Sequence, residues 1–189
     1  MTENKPKIKF WQCVLSFIWE TAKIVIISLA IIIPIRYFLF QPFFVKGASM
    51  EPNFKDGEYL IINEIGYRFQ EPERGDVIIF RYPKDPSQYY IKRIIGLPEE
   101  VVRIEDGKVI IFDKENPEGS ILNEPYLLEG NKFTSGNLEI NLDENDYFVL
   151  GDNRQASSDS RRWGAVPRHY IIGHAWLRAW PFNRLGILD

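Results

Sequence analysis

A chain of 189 residues with 45% hydrophobic and 26% charged residues has the size and composition of a folded domain, which excludes a disordered protein. The first 40 residues hold five of the 23 Lys and Arg and two of the 26 Asp and Glu, so residues 41–189 carry 18 positive against 24 negative side chains. This acidic balance excludes nucleic acid as a partner, because phosphate binding requires clustered Lys and Arg. One cysteine excludes an intrachain disulfide, and two histidines without further ligands predict no metal site and no cofactor.

The first element along the chain is the apolar run IVIISLAIIIPIRYFLF at residues 24–40. As a helix these 17 residues span about 26 Å, and extra helix over residues 11–23 would complete the crossing of a bilayer. The run therefore predicts one transmembrane anchor. Two interpretations stay open beside it: a secretory signal cleaved near Ser28-Leu29-Ala30, and a helix buried in a soluble core.

Charges before the apolar run predict its orientation. Lys5, Lys7, Lys9 and Lys23 precede it, and positive residues flanking a membrane helix remain in the cytoplasm. Residues 1–23 are therefore expected to be a cytoplasmic segment of a single-pass protein of the cytoplasmic membrane. The rest, residues 41–189, is expected on the outer side.

Strand-like runs alternate with turns from Glu58 onward. Asp106-Gly107 separates two of these runs, and both residues tolerate the positive φ of a type I′ hairpin turn. Gly173 predicts an irregularity in the last run. The pattern predicts an all-β domain with a β insertion at about residues 100–140. The runs are EYLIINEI, DVIIFRYP, QYYIKRIIG, VVRIEDGKVIIF, DYFVLGDN and YIIGHAWLRAW.

Ser49 lies in the stretch GASMEP, where small residues and Pro52 favour a turn that a ligand can approach closely. Most serines in such turns are structural. A nucleophilic serine needs a base, and His169 and His174, the only histidines, both fall in a strand-like C-terminal run. A lysine is therefore the favoured base.

Lys92 lies in YYIKRIIG, among apolar residues. A lysine base must be neutral, yet with a pKa near 10.4 only about one lysine in two thousand is neutral at pH 7. Burial lowers that pKa, so apolar neighbours are what the chemistry requires. Lys92 and Arg93 point to opposite faces of a strand, which lets one turn inward while the other remains solvated. The alternative is an edge-strand lysine that discourages aggregation.

The stretch GDNRQASSDSRRWG holds more hydrogen-bonding groups than a simple turn requires. A serine hydroxyl, Ser157 or Ser158, could orient the lysine amine, while Asp159 pairs with one of the arginines that follow. The alternative is a loop whose Asn, Asp and Ser side chains satisfy its own backbone.

Four stretches together resemble the type I signal peptidases, the bacterial leader peptidase family of membrane-anchored Ser/Lys serine endopeptidases. They are GASMEP, RGDVIIF, YIKRIIGLP and GDNRQASSDSRRWG, and they follow an N-terminal anchor in the family's order. The resemblance implies a signal-peptidase-like β-fold, with a catalytic core and a smaller β-subdomain at about 100–140. It also implies removal of signal peptides from exported preproteins, with cleavage after small residues of the Ala-x-Ala type.

The resemblance also implies roles for individual residues. Ser49 would be the nucleophile and Lys92 the general base, Ser157 would hydrogen-bond the lysine, and Asp159 and Arg161 would form a supporting ion pair. The substrate-binding pockets would be lined by Phe43, Val45, Met50, Phe54, Leu60, Ile79, Tyr90 and Ile91.

Four positions, in three stretches, depart from the family pattern. Asn53 stands where Thr is common, Glu99-Glu100 replaces Gly-Asp, and Gly47 stands where some members carry a serine that donates to the oxyanion. The oxyanion would then depend on backbone N–H groups, chiefly that of Ser49. None of these positions carries the proton transfer.

The partners implied are preproteins bearing signal peptides, membrane lipid and the protein-export machinery. Two other functions stay open. A self-cleaving regulator with a Ser/Lys dyad would need a DNA-binding domain, whereas this sequence has an apolar helix. A non-catalytic module that binds export partners would be favoured by loss of Ser49 or Lys92, and both residues are present.

Overall fold

The computed structural model describes residues 10–38 and 40–188, apart from the side chains of residues 10 and 34–40. The lysines at positions 5, 7 and 9, on which the predicted orientation depends, lie outside the described residues. The chain divides into two compact units, Met1–Leu39 and Phe40–Asp189.

The first unit contains one helix, α1, at Phe10–Phe38. It begins well before the predicted run at residues 24–40. Glu20 and Lys23, which interrupt the hydropathy of the sequence, lie within the helix and pair on its surface at 2.7 Å. The stretch Trp11–Ile33, with a mean hydropathy of 2.0, is long and apolar enough to cross a membrane. This confirms one N-terminal apolar helix as a candidate membrane span.

The second unit is mostly β-structure, which confirms the predicted fold class. The strands of its larger sheet are β1 Phe40–Phe44, β2 Tyr59–Asn63, β3 Val77–Tyr82, β4 Asp85–Gly96, β9 Asp146–Leu150, β10 Val166–Pro167, β11 Ile171–Trp180 and β12 Gly186–Ile187. They are antiparallel and follow the order β1-β2-β11-β3-β4-β9-β10, with β12 paired to β11. Helix α2 at Ser160–Trp163 forms one short turn after β9.

A smaller sheet is formed by β5 Val101–Glu105, β6 Lys108–Phe112, β7 Ser120–Ile121 and β8 Leu138–Asn141, in the order β7-β6-β5-β8. Asp106 and Gly107 close the β5–β6 hairpin with φ of 49° and 77°, the positive values that a type I′ turn requires. Val102 and Ile111 of this sheet share a buried cluster with Phe148 of the larger sheet, so the two sheets share a core.

Strand β4 differs along its length: its first half is largely exposed, and its last six residues are buried. Ile91 packs into one buried cluster and Ile94 into another, so both faces of this second half are covered. Lys92 and Arg93 are therefore both buried, at 4% and 7% exposure. The expectation that Arg93 would stay solvated was wrong, because strand alternation predicts opposite faces but not which faces are covered.

Candidate active site

Ser49 and Lys92 are brought into contact by a turn and a central strand. Ser49 lies in the turn that follows β1, and Lys92 lies in the buried half of β4. Their Oγ and Nζ atoms are 2.7 Å apart, and Nζ also donates to the carbonyl oxygen of Ile91 at 2.7 Å. A hydroxyl and an amine are therefore within direct proton-transfer distance.

The loop that follows β9 holds the Ser49 turn in place. The backbone N–H of Asn153 donates to the carbonyl of Ser49 at 3.0 Å, and its side-chain amide donates to the carbonyl of Ala48 at 3.1 Å. Gly151 lets the loop come this close, because a Cβ at that position would collide with the Ser49 carbonyl oxygen and with the Ser157 hydroxyl. The nucleophile turn and the polar loop thus form one rigid unit.

Burial lowers the pKa of Lys92 from 10.5 to about 8. The carboxylates of Asp159 and Asp152 act in the opposite direction and limit the fall. Each of these carboxylates is itself paired with an arginine, so neither presents an uncompensated negative charge to the amine. At pH 7 about one such amine in ten is therefore neutral, far more than for an exposed lysine.

Asp159 and Arg161 form the ion pair that the sequence predicted. Asp159 is fully buried, and Arg161 Nε and Nη2 donate to its two carboxylate oxygens at 2.8 and 2.9 Å. Asp159 also accepts from the backbone N–H of Gly151, and Arg161 Nη2 donates to the carbonyl of Arg154. The pair therefore ties both ends of the loop together.

A second buried ion pair was missed by the sequence analysis. Arg93 donates from Nε and Nη2 to the two oxygens of Asp152 at 2.9 and 2.7 Å, and its guanidinium lies 4.0 Å from the centre of the Tyr126 ring. Asn53, one of the departures from the family pattern, donates to Asp152 at 2.8 Å and to the carbonyl of Tyr126. Asn53 therefore belongs to this network, which supports β4 behind Lys92.

Ser157 lies beside the Ser49–Lys92 pair but does not bond to the lysine in this structure. Its side chain is largely buried, and within the described part of the chain its Oγ has no hydrogen-bond partner. A Cβ added to Gly151 would collide with both Ser157 Oγ and the Ser49 carbonyl oxygen, so both groups flank the same glycine. A buried hydroxyl without a partner at this position is free to donate and to accept within the site.

A groove of about 590 Å³ runs past Ser49 and Lys92. Three of the predicted substrate-binding residues line it: Phe43, Tyr90 and Ile91. The other five lie in the buried core instead of along the groove: Val45, Met50, Phe54, Leu60 and Ile79. The lining residues that sequence reasoning missed are Phe44, Lys46, Gln88 and Tyr89, and the groove is completed by Ser158.

Both long walls of the groove offer unpaired backbone. Strands β1 and β4 are separated by three strands in the sheet order, yet both line the groove, so the sheet curls. Among the described residues, β1 pairs only with β2, and β9 covers β4 only from Arg93 onward. The free edges of β1 and of residues 88–92 therefore face a space in which an extended peptide fits between them.

The remaining departures from the family pattern are accommodated locally. Glu100 accepts from Arg74 and from the backbone N–H of Leu97, and Glu99 adopts a positive φ of 65° and pairs with Lys114 at 2.7 Å. Both glutamates therefore stabilise the turn after β4 without reaching the Ser49–Lys92 pair.

The described residues contain no group of three or more His, Cys, Asp or Glu side chains placed to hold a metal ion. Asp152 and Asp159, the carboxylates nearest the lysine, are each bonded to an arginine. Among the hydroxyl and amine groups that line the groove, the Ser49 hydroxyl and the Lys92 amine are the pair in direct contact.

A serine hydroxyl that contacts a buried amine, beside a groove with free strand edges, is the arrangement of a serine peptidase. Comparison with known proteins gives the same class. Residues 18–180 match the family described as "Signal peptidase, peptidase S26". The chain belongs to this signal peptidase family.

Several relatives are similar over most of their length. Signal peptidase I of Bacillus licheniformis is 34% identical over 198 residues, covering all of both chains. Signal peptidase I of Leptolyngbya laminosa is 38% identical over 176 residues, covering 89% of this chain and 83% of the relative. A crystal structure of a signal peptidase I from Enterococcus faecalis V583 aligns with a TM-score of 0.47 and 32% identity, covering 56% of this chain and 97% of that one.

Proposed function

We propose that this protein is a membrane-anchored serine endopeptidase that removes signal peptides from exported preproteins by a Ser49/Lys92 dyad. The observation that carries the proposal is the 2.7 Å separation of Ser49 Oγ and Lys92 Nζ, together with the lysine's burial and its pKa of about 8. Membership of the signal peptidase family supplies the substrate class.

The mechanism begins with neutral Lys92. Its amine takes the Ser49 proton while the serine oxygen attacks the scissile carbonyl carbon. The resulting ammonium gives the proton to the departing amine, so that the mature protein leaves and an acyl ester remains on Ser49. Neutral again, Lys92 takes a proton from a water molecule whose oxygen attacks the ester carbon. The bond from that carbon to Ser49 Oγ then breaks, and the ammonium returns its proton to the serine oxygen, which releases the signal peptide and restores the hydroxyl and the neutral amine.

The tetrahedral intermediate requires a donor for its oxyanion. Within the described residues the backbone N–H of Ser49 has no hydrogen-bond acceptor, so it is available for this role. Gly47 occupies the position of the serine donor found in some family members, and its own N–H is bonded to Asp56 at 2.6 Å. The oxyanion is therefore stabilised chiefly by the Ser49 N–H.

The loop residues support the dyad. Ser157 supplies a hydroxyl that can bond the lysine amine without adding a charge, which an adjacent carboxylate would do. Asp159 and Arg161 hold the loop that carries Ser157 and that grips the Ser49 turn. Their role is positional, because neither residue lines the groove.

The groove supports recognition of an extended cleavage region. A preprotein segment adds as a strand between β1 and residues 88–92, which gives affinity through main-chain hydrogen bonds. Strand alternation places the side chains one and three residues before the scissile bond on the same face. Phe43, Tyr90 and Ile91 are bulky walls beside the dyad, so only small side chains fit next to Ser49, and an Ala-x-Ala pattern is read.

Helix α1 supports attachment to a membrane, since Trp11–Ile33 is long enough to cross it. In this proposal the membrane is the cytoplasmic one, with the residues before Trp11 inside and residues 41–189 outside. The large apolar side chains of the helix are exposed, including Trp11, Phe17 and Ile24, and such a surface requires lipid as its partner. The substrate's apolar segment lies in the same membrane at the export machinery, so anchoring raises the effective concentration of enzyme and substrate.

The test compares the detergent-solubilised full chain with its Ser49→Ala variant on a preprotein bearing an Ala-x-Ala site. Wild type should yield two products whose masses place the cut after the last Ala, and Ser49→Ala should be slower by about 10⁴-fold. Ser120→Ala, an exposed serine on the small sheet, is the matched control and should cut normally. Equal cleavage by Ser49→Ala would exclude the dyad, and binding without cleavage by wild type would favour the non-catalytic module.

A further inference from the structure

The Tyr90 ring lies beside Lys92 in the wall of the groove. Its centroid is 5.5 Å from Lys92 Nζ, and the same ring lines the groove beside Ser49. Tyr90 is only half-buried and sits where β4 passes from its exposed half to its buried half. Its position must therefore be held by neighbours outside the dyad.

Those neighbours form an aromatic stack on the side away from the groove. The Tyr82 ring lies parallel to Tyr90, with centroids 4.7 Å apart and an interplanar angle of 12°. Trp163 packs edge-on against Tyr82 at 5.6 Å and also contacts Phe80 at 5.9 Å. Phe80 is fully buried and contacts Tyr90 at 6.3 Å, so it forms the base of the stack. Pairs in these geometries contribute beyond their buried area.

Strand register places two of these rings together. Phe80 pairs with Tyr90 across β3 and β4, and the two-residue period puts Lys92 on the same face as Tyr90. The register shifts between Arg81 and Tyr82, and Tyr82 stacks on Tyr90 across this irregularity. Trp163 ends α2, four residues after the buried Asp159. The stack therefore joins the β3–β4 hairpin to the loop that carries the supporting ion pair.

We propose that Tyr82 and Trp163 are positioning residues that hold the Tyr90 ring against Lys92, so that water is kept from the amine and the groove wall beside Ser49 stays fixed. The proposal rests on the proposed function only for the catalytic use of that amine. The exposure of the Lys92 amine to water can be measured independently of cleavage.

The charged groups that face Lys92 belong to residues other than the four stacked aromatic residues. Asp159 with Arg161, and Asp152 with Arg93, face it from the loop and from β4. Lys46 lines the opposite side of the same groove. A substitution at Tyr82 or Trp163 leaves all of these charges in place, so a change in the titration of Lys92 reports its exposure to water.

Two effects of the Tyr90 ring oppose each other. The ring face attracts the ammonium form, whereas its coverage of the amine penalises that form. The ring centroid lies 5.5 Å from Nζ, near the limit of about 6 Å at which a ring face attracts a cation, so we expect coverage to be the stronger of the two. Loss of the ring's support should therefore raise the pKa.

The experiment uses the full chain in detergent with lysine labelled at Cε with ¹³C, and assigns the Lys92 resonance as the one missing in Lys92→Ala. Tyr82→Leu and Trp163→Leu should each move the Lys92 titration midpoint up by about one pH unit, and Tyr82→Phe should restore it. The acid limb of kcat/KM should move with it, a loss of about tenfold at pH 7, while the high-pH plateau stays within about twofold. Phe69→Leu, at an 82% exposed ring away from the groove, is the control.

The outcomes separate the two proposals. A Lys92 midpoint that is unchanged in both Leu variants overturns the positioning role, even if their thermal stability falls, because the rings would then be structural only. If wild type fails to cut any preprotein, the proposed function fails, yet a shifted midpoint would still support the positioning role. If Tyr82→Leu does not fold, the Trp163→Leu titration decides the matter on its own.

Discussion

Replacing Lys92 with Met is expected to abolish cleavage and to stabilise the protein at neutral pH. Met has a similar length and no charge, so it removes the cost of burying an ammonium group. A fall in pKa from 10.5 to about 8 corresponds to a penalty of about 3 kcal/mol at about 1.36 kcal/mol per pH unit. The variant also loses the two hydrogen bonds from Nζ, each contributing about 1 kcal/mol. The net gain at pH 7 is therefore about 1 kcal/mol.

The pH dependence of this difference is more decisive than its size at one pH. Between pH 8 and 10.5 the unfolded wild type binds more protons at Lys92 than the native state does, so its free energy of unfolding rises with pH. The penalty is fully present below about pH 8 and disappears above about pH 10.5. Lys92→Met lacks this titration, so its advantage should shrink and reverse as the pH rises, a total change of about 3 kcal/mol.

The assay is urea unfolding of both full-length proteins in detergent, followed by circular dichroism at half-unit steps from pH 6.5 to 10.5. All other titrating groups are common to the two proteins and cancel in the difference. Lys84→Met removes an exposed lysine and should track wild type at every pH. A difference between Lys92→Met and wild type that does not vary with pH would refute the claim that burial depresses the pKa of this lysine.

Three further predictions concern the site and its support. Because Lys92 must be neutral, kcat/KM should rise about tenfold per pH unit below pH 8 and level off above it in initial-rate measurements; a plateau extending below pH 6 would contradict this. Asp159→Asn should lower the free energy of unfolding by about 3 kcal/mol, because it leaves the Arg161 guanidinium without its carboxylate. It should also move the acid limb of the rate profile to lower pH, because the Asp159 carboxylate raises the pKa of Lys92. The Arg154 side chain is fully buried and forms an ion pair with Glu124. Arg154→Met should therefore cost about 3–5 kcal/mol in urea unfolding, because the Glu124 carboxylate loses its cation, and adding Glu124→Leu should recover part of that loss; no recovery would mean that the arginine acts through packing instead.

The local patterns of this chain predict much of its fold. The β5–β6 hairpin follows from Asp106-Gly107 between alternating runs, and the irregularity of β11 follows from Gly173, whose Cβ would collide with the carbonyl of Asn63. These features depend on neighbouring residues along the chain, which the sequence displays directly. The contact between Ser49 and Lys92 agrees with the geometry expected from their motifs, and their catalytic roles remain proposals.

Features that depend on contacts between residues far apart in the sequence could not be predicted from local patterns. Strand β1, with the sequence FQPFF, follows an apolar helix and carries a proline, and it becomes a strand by pairing with β2. The sequence does not show that β1 is a strand or that the sheet curls, so it does not indicate that Lys46 and Gln88 line the same groove. For the same reason it does not indicate that Met50 is fully buried and not exposed to a substrate. Which face of a strand is covered is a property of the whole fold.

The most direct test of the Ser/Lys dyad is cleavage of an Ala-x-Ala preprotein by purified wild type and by Lys92→Ala, with the products weighed by mass spectrometry at pH 9. The dyad predicts a cut after the last Ala by wild type and a rate lower by about 10⁴-fold for Lys92→Ala. Lys92→Arg should fail equally, because a guanidinium stays protonated and cannot accept the serine proton. Cleavage at the wild-type rate by either variant would contradict the assignment of Lys92 as the general base.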